Sequence, residues 1–362
     1  MQPAHSEMPP ASPDREHLAA DYRRVRSLSE HLCEPLETED YVLQTVVETS
    51  PPKWHLAHVS WFFETFLLKP FLPGYKPFHP RFDVLFNSYY EQTGTGFWPR
   101  PQRGLLSRPT VTEVYAYRRH VDDAMARLIA DTDGDDWPVA AERILIGLNH
   151  EQQHQELLVT DIKFNLAYNP LRPAYRADLP TDRPREPSAL TFTAIDGGIV
   201  EIGAAGDGFG YDNEYPRHRV LLEGYQLADR LVTNAEWRDF IDDGGYRHPG
   251  LWLADGWTQV RQGGPNGEGW QAPLYWEQVD GDWHEMTLAG LRPLNPAEPV
   301  HSQQSPNNCC NAPPCSTARA GAGCKRPSST KLPATGRPAA ACSHSASVGS
   351  RLPAQRAKAS AS

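Results

Sequence analysis

The first 300 residues are almost free of cysteine: of the six in the chain, only Cys33 lies there. This part can form no disulfide of its own, which suits a reducing compartment. Long apolar runs are missing too, since no stretch approaches the about 20 apolar residues of a membrane helix. Residues 1–14 are proline-rich and contain acidic groups, so they lack the apolar segment of a signal peptide. We expect a cytoplasmic protein that does not enter a membrane.

Acidic residues are absent from residues 301–362, which hold eight Lys and Arg. The preceding 300 residues carry 27 Lys and Arg against 45 Asp and Glu, a formal charge of -18. A body this acidic repels a phosphate backbone, so its charge disfavours nucleic acid as a partner. We expect a monomer that acts on small molecules.

Residues 301–362 also lack Phe, Trp, Tyr, Ile and Met and show no hydrophobic periodicity. They cannot bury enough apolar surface to offset their ordering entropy, so we predict a disordered tail. The abrupt change in composition after Val300 suggests a shifted reading frame in the source sequence, which resequencing the gene would test. The cysteines of the tail fit no standard zinc spacing; they are Cys309, Cys310, Cys315, Cys324 and Cys342.

Hydrophobic spacing predicts four long helices within residues 10–169. Ser12 has the character of an N-cap for the first helix, the second opens with two prolines after Ser50, and Thr110 begins a capping box for the third. The fourth begins near Trp137. Four such helices predict a bundle, a fold in which metal sites are commonly built from inward-facing side chains.

Two further regions follow the helices. Residues 170–188 are rich in proline and charge, which indicates a linker. Residues 189–300 change to short β-like runs broken by glycine and dense in tryptophan, which predicts an α+β domain. The chain is therefore predicted to be multidomain, with an α domain, a linker, an α+β domain and the tail.

The candidate site lies in the fourth helix, where residues 150–154 match the pattern H-E-x-x-H. Residues i and i+4 share one helix face, so His150 and His154 can offer two imidazoles to one metal ion. In a zinc hydrolase of this type, Glu151 would be the general base. The sequence just downstream, however, offers carboxylates but no third histidine.

The second helix can supply a third ligand, because it carries His55 and His58 among large aromatic neighbours. The two residues share roughly one face, so both remain candidates, and we favour His58. Three histidines leave the other positions of an octahedral iron(II) open for substrates and dioxygen. Glu156 lies two residues beyond His154; it is either an outer partner that holds an imidazole tautomer or an ordinary surface carboxylate.

Several motifs together resemble the EgtB family of ergothioneine-biosynthesis sulfoxide synthases. In the helical region they are W-H-L-A-H at residues 54–58, R-G-L-L-S-R-P at 103–109 and H-E-Q-Q-H-Q-E-L at 150–157. In the second region they include G-G-I-V-E-I-G at 197–203, D-N-E-Y-P-R-H at 212–218 and V-T-N-A-E-W at 232–237. The resemblance covers about residues 10–300. It implies a DinB-like four-helix bundle followed by a domain related to the formylglycine-generating enzyme and C-type lectins.

The resemblance also implies an iron(II) cofactor held by three histidines, His58, His150 and His154. Family members use dioxygen to join the sulfur of cysteine or γ-glutamylcysteine to the imidazole carbon of hercynine, giving a sulfoxide. By motif position, Gln153 would lie near hercynine. Arg103 or Arg108 could pair with a carboxylate of the thiol substrate, for which a bidentate guanidinium is well suited.

Family members continue beyond the position of Val300 with a segment that carries an active-site tyrosine, and this chain shows no counterpart of it. We therefore expect that residues 189–300 form an incomplete domain and that the chain binds iron but has little or no synthase activity. Two alternatives stay open besides the zinc hydrolase. One is a metal-binding remnant without catalysis, and the other is a relative that accepts histidine and makes an ovothiol precursor.

Overall fold

The computed structural model describes residues 14–91, 94–180, 187–206, 208–264 and 267–300. The chain divides into two units, Met1–Pro180 with Glu285–Arg292 and Thr181–His284 with Pro293–Ser362. Every helix among the described residues is too short or too polar to cross a membrane. The predicted disordered tail, its five cysteines and the suspected frame change lie outside the described residues.

Four long helices dominate the first unit, and they confirm the predicted four-helix bundle. The third of these helices is α5 and the fourth is α6, because two short helices intervene. In chain order the helices are α1 (Arg15–His31), α2 (Pro52–Phe63), α3 (Lys69–Phe71), α4 (Phe82–Leu85), α5 (Val111–Asp131) and α6 (Asp136–Tyr168). A π-helical turn, Glu64–Leu68, joins α2 to α3, and 3-10 turns occupy Thr38–Val42 and Arg100–Leu105.

The helix ends follow local hydrogen bonding. The N-cap of α1 is Asp14, whose side chain accepts a hydrogen bond from the His17 backbone N–H at 3.2 Å. This corrects the predicted cap at Ser12, which lies outside the described residues. The capping box predicted at α5 is present, with Thr110 and Glu113 satisfying each other's backbone N–H groups.

Every residue of α2 is buried, and the helix packs against both α5 and α6. A helix in this position must satisfy its polar side chains internally. Lys53 meets this demand by donating hydrogen bonds to the carbonyls of Leu106 and Pro109. The histidines of α2 are therefore enclosed in the bundle rather than presented to solvent.

Glu151 of α6 is the centre of a buried ion-pair network. Its carboxylate accepts hydrogen bonds from Arg26 of α1 at 3.0 Å, Arg118 of α5 at 3.2 Å and the Ser29 hydroxyl at 2.6 Å. Burial alone would raise the pKa of this carboxyl, but the two guanidinium groups outweigh that effect and lower it. The network therefore links α6 to α1 and α5 through buried ion pairs, in which each charged group is stabilised by its partner.

Gly147 allows α6 to approach α2 closely, one turn before His150. A Cβ at this position would lie 2.6 Å from the Phe63 ring and 3.0 Å from the Phe62 ring. Both rings are buried, and the Phe62 ring packs against His150 with centroids 4.8 Å apart. The missing side chain therefore shapes the aromatic wall beside the histidines.

We expect Gly147→Ala to destabilise the fold by about 1–3 kcal/mol, the usual cost of overpacking a filled core. Alanine is favoured over glycine in a helix interior by only about 0.5–1 kcal/mol, so the clash decides the sign. Urea denaturation measures the change. Gln152→Ala, at an exposed position of α6, is the control and should stay within about 0.5 kcal/mol of wild type. Equal stability of the two variants would show that the rings move aside without cost.

The chain after residue 187 is α+β, as predicted. The strand β1 (Phe192–Ile195) pairs antiparallel with β4 (Tyr225–Ala228), and β2 (Gly198–Ile202) pairs antiparallel with β3 (His218–Leu222). A third sheet contains β5 (Trp276–Val279), β6 (Asp282–Thr287) and β7 (Gly290–Pro293) in that order. Aromatic side chains, Trp237, Trp252 and Trp276 among them, form a core with Val260, so these tryptophans serve packing. Between β4 and β5 lie the helices α7 (Asn234–Asp242) and α8 (Ala254–Gln262).

Candidate metal centre

Three histidines from two helices of the first unit converge on one small volume. His58 belongs to α2, while His150 and His154 lie one turn apart on α6. Each ring offers one nitrogen as a ligand atom, and these three nitrogens all lie within 4.8 Å of one another. His58 and His150 are buried, and His154 is partly exposed.

The ring of His58 is fixed by its neighbours. Its Nδ1 lies 2.6 Å from the Phe86 carbonyl oxygen. Because a carbonyl only accepts, the hydrogen is on Nδ1 and Nε2 keeps its lone pair. Trp54 and Trp61 stack on the ring, with centroids 4.5 and 5.5 Å away. His58 is thus held in the orientation and tautomer of an Nε2 ligand.

His154 has another imidazole as its hydrogen-bond partner. Its Nδ1 lies 2.8 Å from Nδ1 of His55, whose Nε2 lies 3.0 Å from Oδ2 of Asp161. Both nitrogens of His55 are engaged, so in this arrangement His58, not His55, offers a free nitrogen to the set. The Nδ1 atom of His150 is buried without a hydrogen-bond partner among the described residues.

Burial favours the neutral form of the three imidazoles, which is the form that binds metals. Burial lowers the pKa of His58 and of His154 well below the usual range, and the nearby His150 ring adds to the effect at both. Burial lowers the pKa of His150 to about 4. Rings with lowered pKa values, the fixed tautomer of His58 and the unpartnered buried nitrogen of His150 together fit a metal ion.

Two family profiles match this chain. One, described as the DinB superfamily, matches residues 21–158, and the other, described as a sulfatase-modifying factor enzyme 1-like domain, matches residues 176–313. Proteins named hercynine oxygenase are similar to the chain across both regions. The Mycolicibacterium smegmatis protein is 31% identical over 232 residues, 63% of this chain and 49% of the relative. The chain belongs to the hercynine oxygenase family.

Two further hercynine oxygenases agree with this result. The Mycolicibacterium thermoresistibile protein is 30% identical over 255 residues, 69% of this chain and 52% of the relative. The Mycobacterium tuberculosis protein is 31% identical over 265 residues, 72% of this chain and 57% of the relative. The chain thus spans about half the length of the hercynine oxygenases that it matches.

Arg103 is the most distinctive of the predicted substrate residues in this hercynine oxygenase-family chain. Its guanidinium lies over the Trp54 ring, 3.4 Å from the centroid, and its Nη1 donates to Ser50 Oγ at 2.9 Å. Its Nε is buried with no hydrogen-bond partner in the described part of the chain. Burial, with a smaller effect from Arg100, lowers the pKa of Arg103 to about 9. A buried guanidinium with spare donors is suited to an anionic ligand.

The other predicted residues are more exposed. Arg108 and the carboxylate-bearing Glu156 are exposed, and Gln153 is partly exposed beside His154. The carboxylate that contacts His55 is that of Asp161, and the exposed position of Glu156 favours the surface-carboxylate alternative. We did not predict a role for Asp161, although its spacing of i+7 from His154 places both residues on one face of α6.

Proposed function

We propose that this chain carries the iron(II) site of a sulfoxide synthase of ergothioneine biosynthesis, an enzyme that joins hercynine to cysteine or γ-glutamylcysteine with dioxygen, and that turnover by the chain itself is low or absent. The observation that carries the proposal is the convergence of three neutral histidines in a chain of the hercynine oxygenase family. Nitrogen ligands alone suit several transition metals, iron among them. The choice of iron and of the thiol substrates rests on the family resemblance.

The proposed reaction balances without a separate reductant. A C–H bond of the hercynine imidazole and the S–H bond of the thiol break, and a C–S bond forms. The sulfur is oxidised and gains an oxygen atom, while dioxygen is reduced. One oxygen atom becomes the sulfoxide oxygen and the other leaves as water together with the two released hydrogens.

The residues around the histidines would bind and orient the substrates. Iron(II) held by three imidazoles would supply open positions for a thiol and for dioxygen. The rings of Trp54 and Trp61 stack on the His58 ring. Their apolar surface would restrict water at the site. Arg103 would bind a carboxylate of the thiol substrate, and Gln153 would contact hercynine. Holding two substrates together in this way contributes to the rate by proximity and orientation.

The zinc hydrolase alternative is opposed by the position of Glu151. A general base must reach the attacking water directly or through one other water. Both carboxylate oxygens of Glu151 are instead bound inside the bundle, Oε1 to Ser29 and Arg118 and Oε2 to Arg26. The residue that the motif H-E-x-x-H assigns to proton abstraction is therefore ion-paired with two buried arginines.

Anaerobic loading of the whole chain with iron(II) or zinc(II), followed by oxygen-consumption assays, tests the proposed function. Hercynine and histidine are each offered with cysteine and with γ-glutamylcysteine, and products are identified by mass spectrometry. Oxygen uptake by the iron form with a sulfoxide product, even at a low rate, supports the synthase reaction and identifies both substrates. Iron binding with little or no oxygen uptake in any pair is the expected result, whereas failure to bind iron(II) would overturn the proposal.

We expect Arg103→Gln to weaken thiol-substrate binding by roughly 10–100-fold, because it removes about 1.5–3 kcal/mol of charge-assisted hydrogen bonding. Calorimetric titration of the oxygen-free, iron-loaded protein with γ-glutamylcysteine measures the Kd. Arg108→Gln is the matched control at an exposed position and should change the Kd by less than about 5-fold. A loss confined to Arg108→Gln would assign the carboxylate to Arg108 instead.

A further inference from the structure

A buried chain of hydrogen bonds connects Asp161, His55 and His154. Asp161 and His55 are only 5% and 4% exposed. Oδ2 of Asp161 accepts the Ser50 backbone N–H at 2.8 Å and lies 3.0 Å from Nε2 of His55. The Ser50 backbone N–H donates to this oxygen, and an ionised carboxylate has no hydrogen to donate, so the hydrogen of the second contact belongs to His55 Nε2.

The hydrogen on His55 Nε2 determines which ring donates in the contact between His55 and His154. In a neutral His55 ring with its hydrogen on Nε2, the lone pair is on Nδ1. The Nδ1 of His154, 2.8 Å away, must therefore donate to it. His154 then carries its hydrogen on Nδ1 and keeps a lone pair on Nε2, the nitrogen left for a metal ion.

We propose that His55 and Asp161 are positioning residues, which hold His154 in the tautomer and ring orientation that present Nε2 to the metal. The proposal deepens the proposed metal site and rests on it. The Phe86 carbonyl sets the same tautomer at His58, so ligands on two helices offer the same ring nitrogen. Reversed hydrogen bonds would put a hydrogen on Nε2 of His154 and remove that residue as a ligand.

The same chain reaches the arginine that we propose for the thiol carboxylate. Ser50 donates its backbone N–H to Asp161 and accepts a hydrogen bond from Arg103 Nη1 at its Oγ. Loss of the Asp161 carboxylate is therefore expected to disturb both the metal ligand and Arg103. Loss of the His55 ring should disturb the metal ligand alone, which makes His55 the sharper position to test.

The tautomer of His154 can be measured in the metal-free protein. Long-range proton–nitrogen NMR correlations of histidine-labelled protein distinguish a ring with hydrogen on Nδ1 from one with hydrogen on Nε2. The chain has 14 histidines, so the His154 signals are assigned by their loss in His154→Gln. We expect the Nδ1–H form in wild type and a loss of this preference in His55→Leu. An Nε2–H form of His154 in wild type would overturn the proposal.

Metal affinity supplies the second test, with cobalt(II) as the probe and its visible absorption spectrum as the readout. Loss of an outer hydrogen bond typically weakens metal binding roughly 10–100-fold, and we expect this for His55→Leu. His55→Asn places an amide oxygen where Nδ1 was, so it should restore most of the affinity and the wild-type spectrum. Glu156→Gln is the control on the exposed side of α6 and should leave both unchanged.

The outcomes separate the two proposals. If wild-type protein binds no cobalt(II), the metal site fails, and the positioning role fails with it. If wild type binds and a folded His55→Leu protein binds equally well with the same spectrum, only the positioning role fails. Thermal melts of the metal-free variants show whether each one is folded, and the tautomer measurement on wild type needs no variant at position 55.

Discussion

Glu151→Ala is expected to lower the free energy of unfolding by about 3–5 kcal/mol, which is among the largest effects of a single substitution. The change leaves Arg26 and Arg118 buried inside the bundle without the carboxylate that they share. The guanidinium groups of both residues are essentially inaccessible to water, so solvent cannot replace the lost charge. Glu151→Gln retains hydrogen-bond acceptors and should cost less, and Arg26 keeps its ion pair with Asp122 while Arg118 keeps its ion pair with Glu30.

Urea denaturation of the metal-free protein, with the helical circular dichroism signal as the readout, measures these changes. Glu156→Ala, on the exposed face of the same helix, is the control and should stay within about 0.5 kcal/mol of wild type. A hydrolase with Glu151 as its general base makes the opposite prediction, since removal of that base would lower turnover while leaving the fold stable. Wild-type stability of Glu151→Ala would therefore contradict the structural role and revive the hydrolase interpretation.

The helices of the first unit could be predicted from the sequence because their signals are local. The apolar spacing, the prolines at the start of α2 and the Thr110 capping box each act within one or two turns of chain. The cap of α1 was predicted two positions too early, because Ser12 and Asp14 are both good caps and sequence alone does not show which side chain turns toward the backbone. Secondary structure and the bundle therefore followed from the pattern.

The candidate site was predictable only in part. The spacing of His150 and His154 fixes a shared helix face, so their proximity follows from α6 alone. The ion pairs of Glu151 do not follow from α6 alone, because its partners Arg26 and Arg118 are 125 and 33 positions away in the sequence. Side chains so distant along the chain meet only through the packing of α1, α5 and α6.

The contact of His55 with His154 has the same origin, since these residues are 99 positions apart and on different helices. Sequence spacing placed His55 and His58 on roughly one face of α2 and left either as a ligand. What separates them is the partner of each ring: Asp161 lies beside His55, and the Phe86 carbonyl lies beside His58. The choice between two similar histidines is thus a tertiary property.

Loss of a hydrogen bond that orients a metal ligand weakens metal binding roughly 10–100-fold. Removal of a ligand itself is expected to weaken it by more. Wild-type protein at a free cobalt(II) concentration of about 100 times the Kd should gain about 2.7 kcal/mol of stability. His58→Ala and His154→Ala should lose nearly all of this gain, whereas His31→Ala, at an exposed position, should keep it.

Using two ligand variants separates metal binding from packing. His58 is stacked between Trp54 and Trp61, so His58→Ala also leaves a cavity and should destabilise the metal-free protein. His154 is partly exposed, so His154→Ala should cost less in the metal-free state while losing the same metal-dependent gain. The decisive quantity for each variant is therefore the difference in its free energy of unfolding with and without metal. A gain that persists in both variants would place the metal elsewhere in the chain.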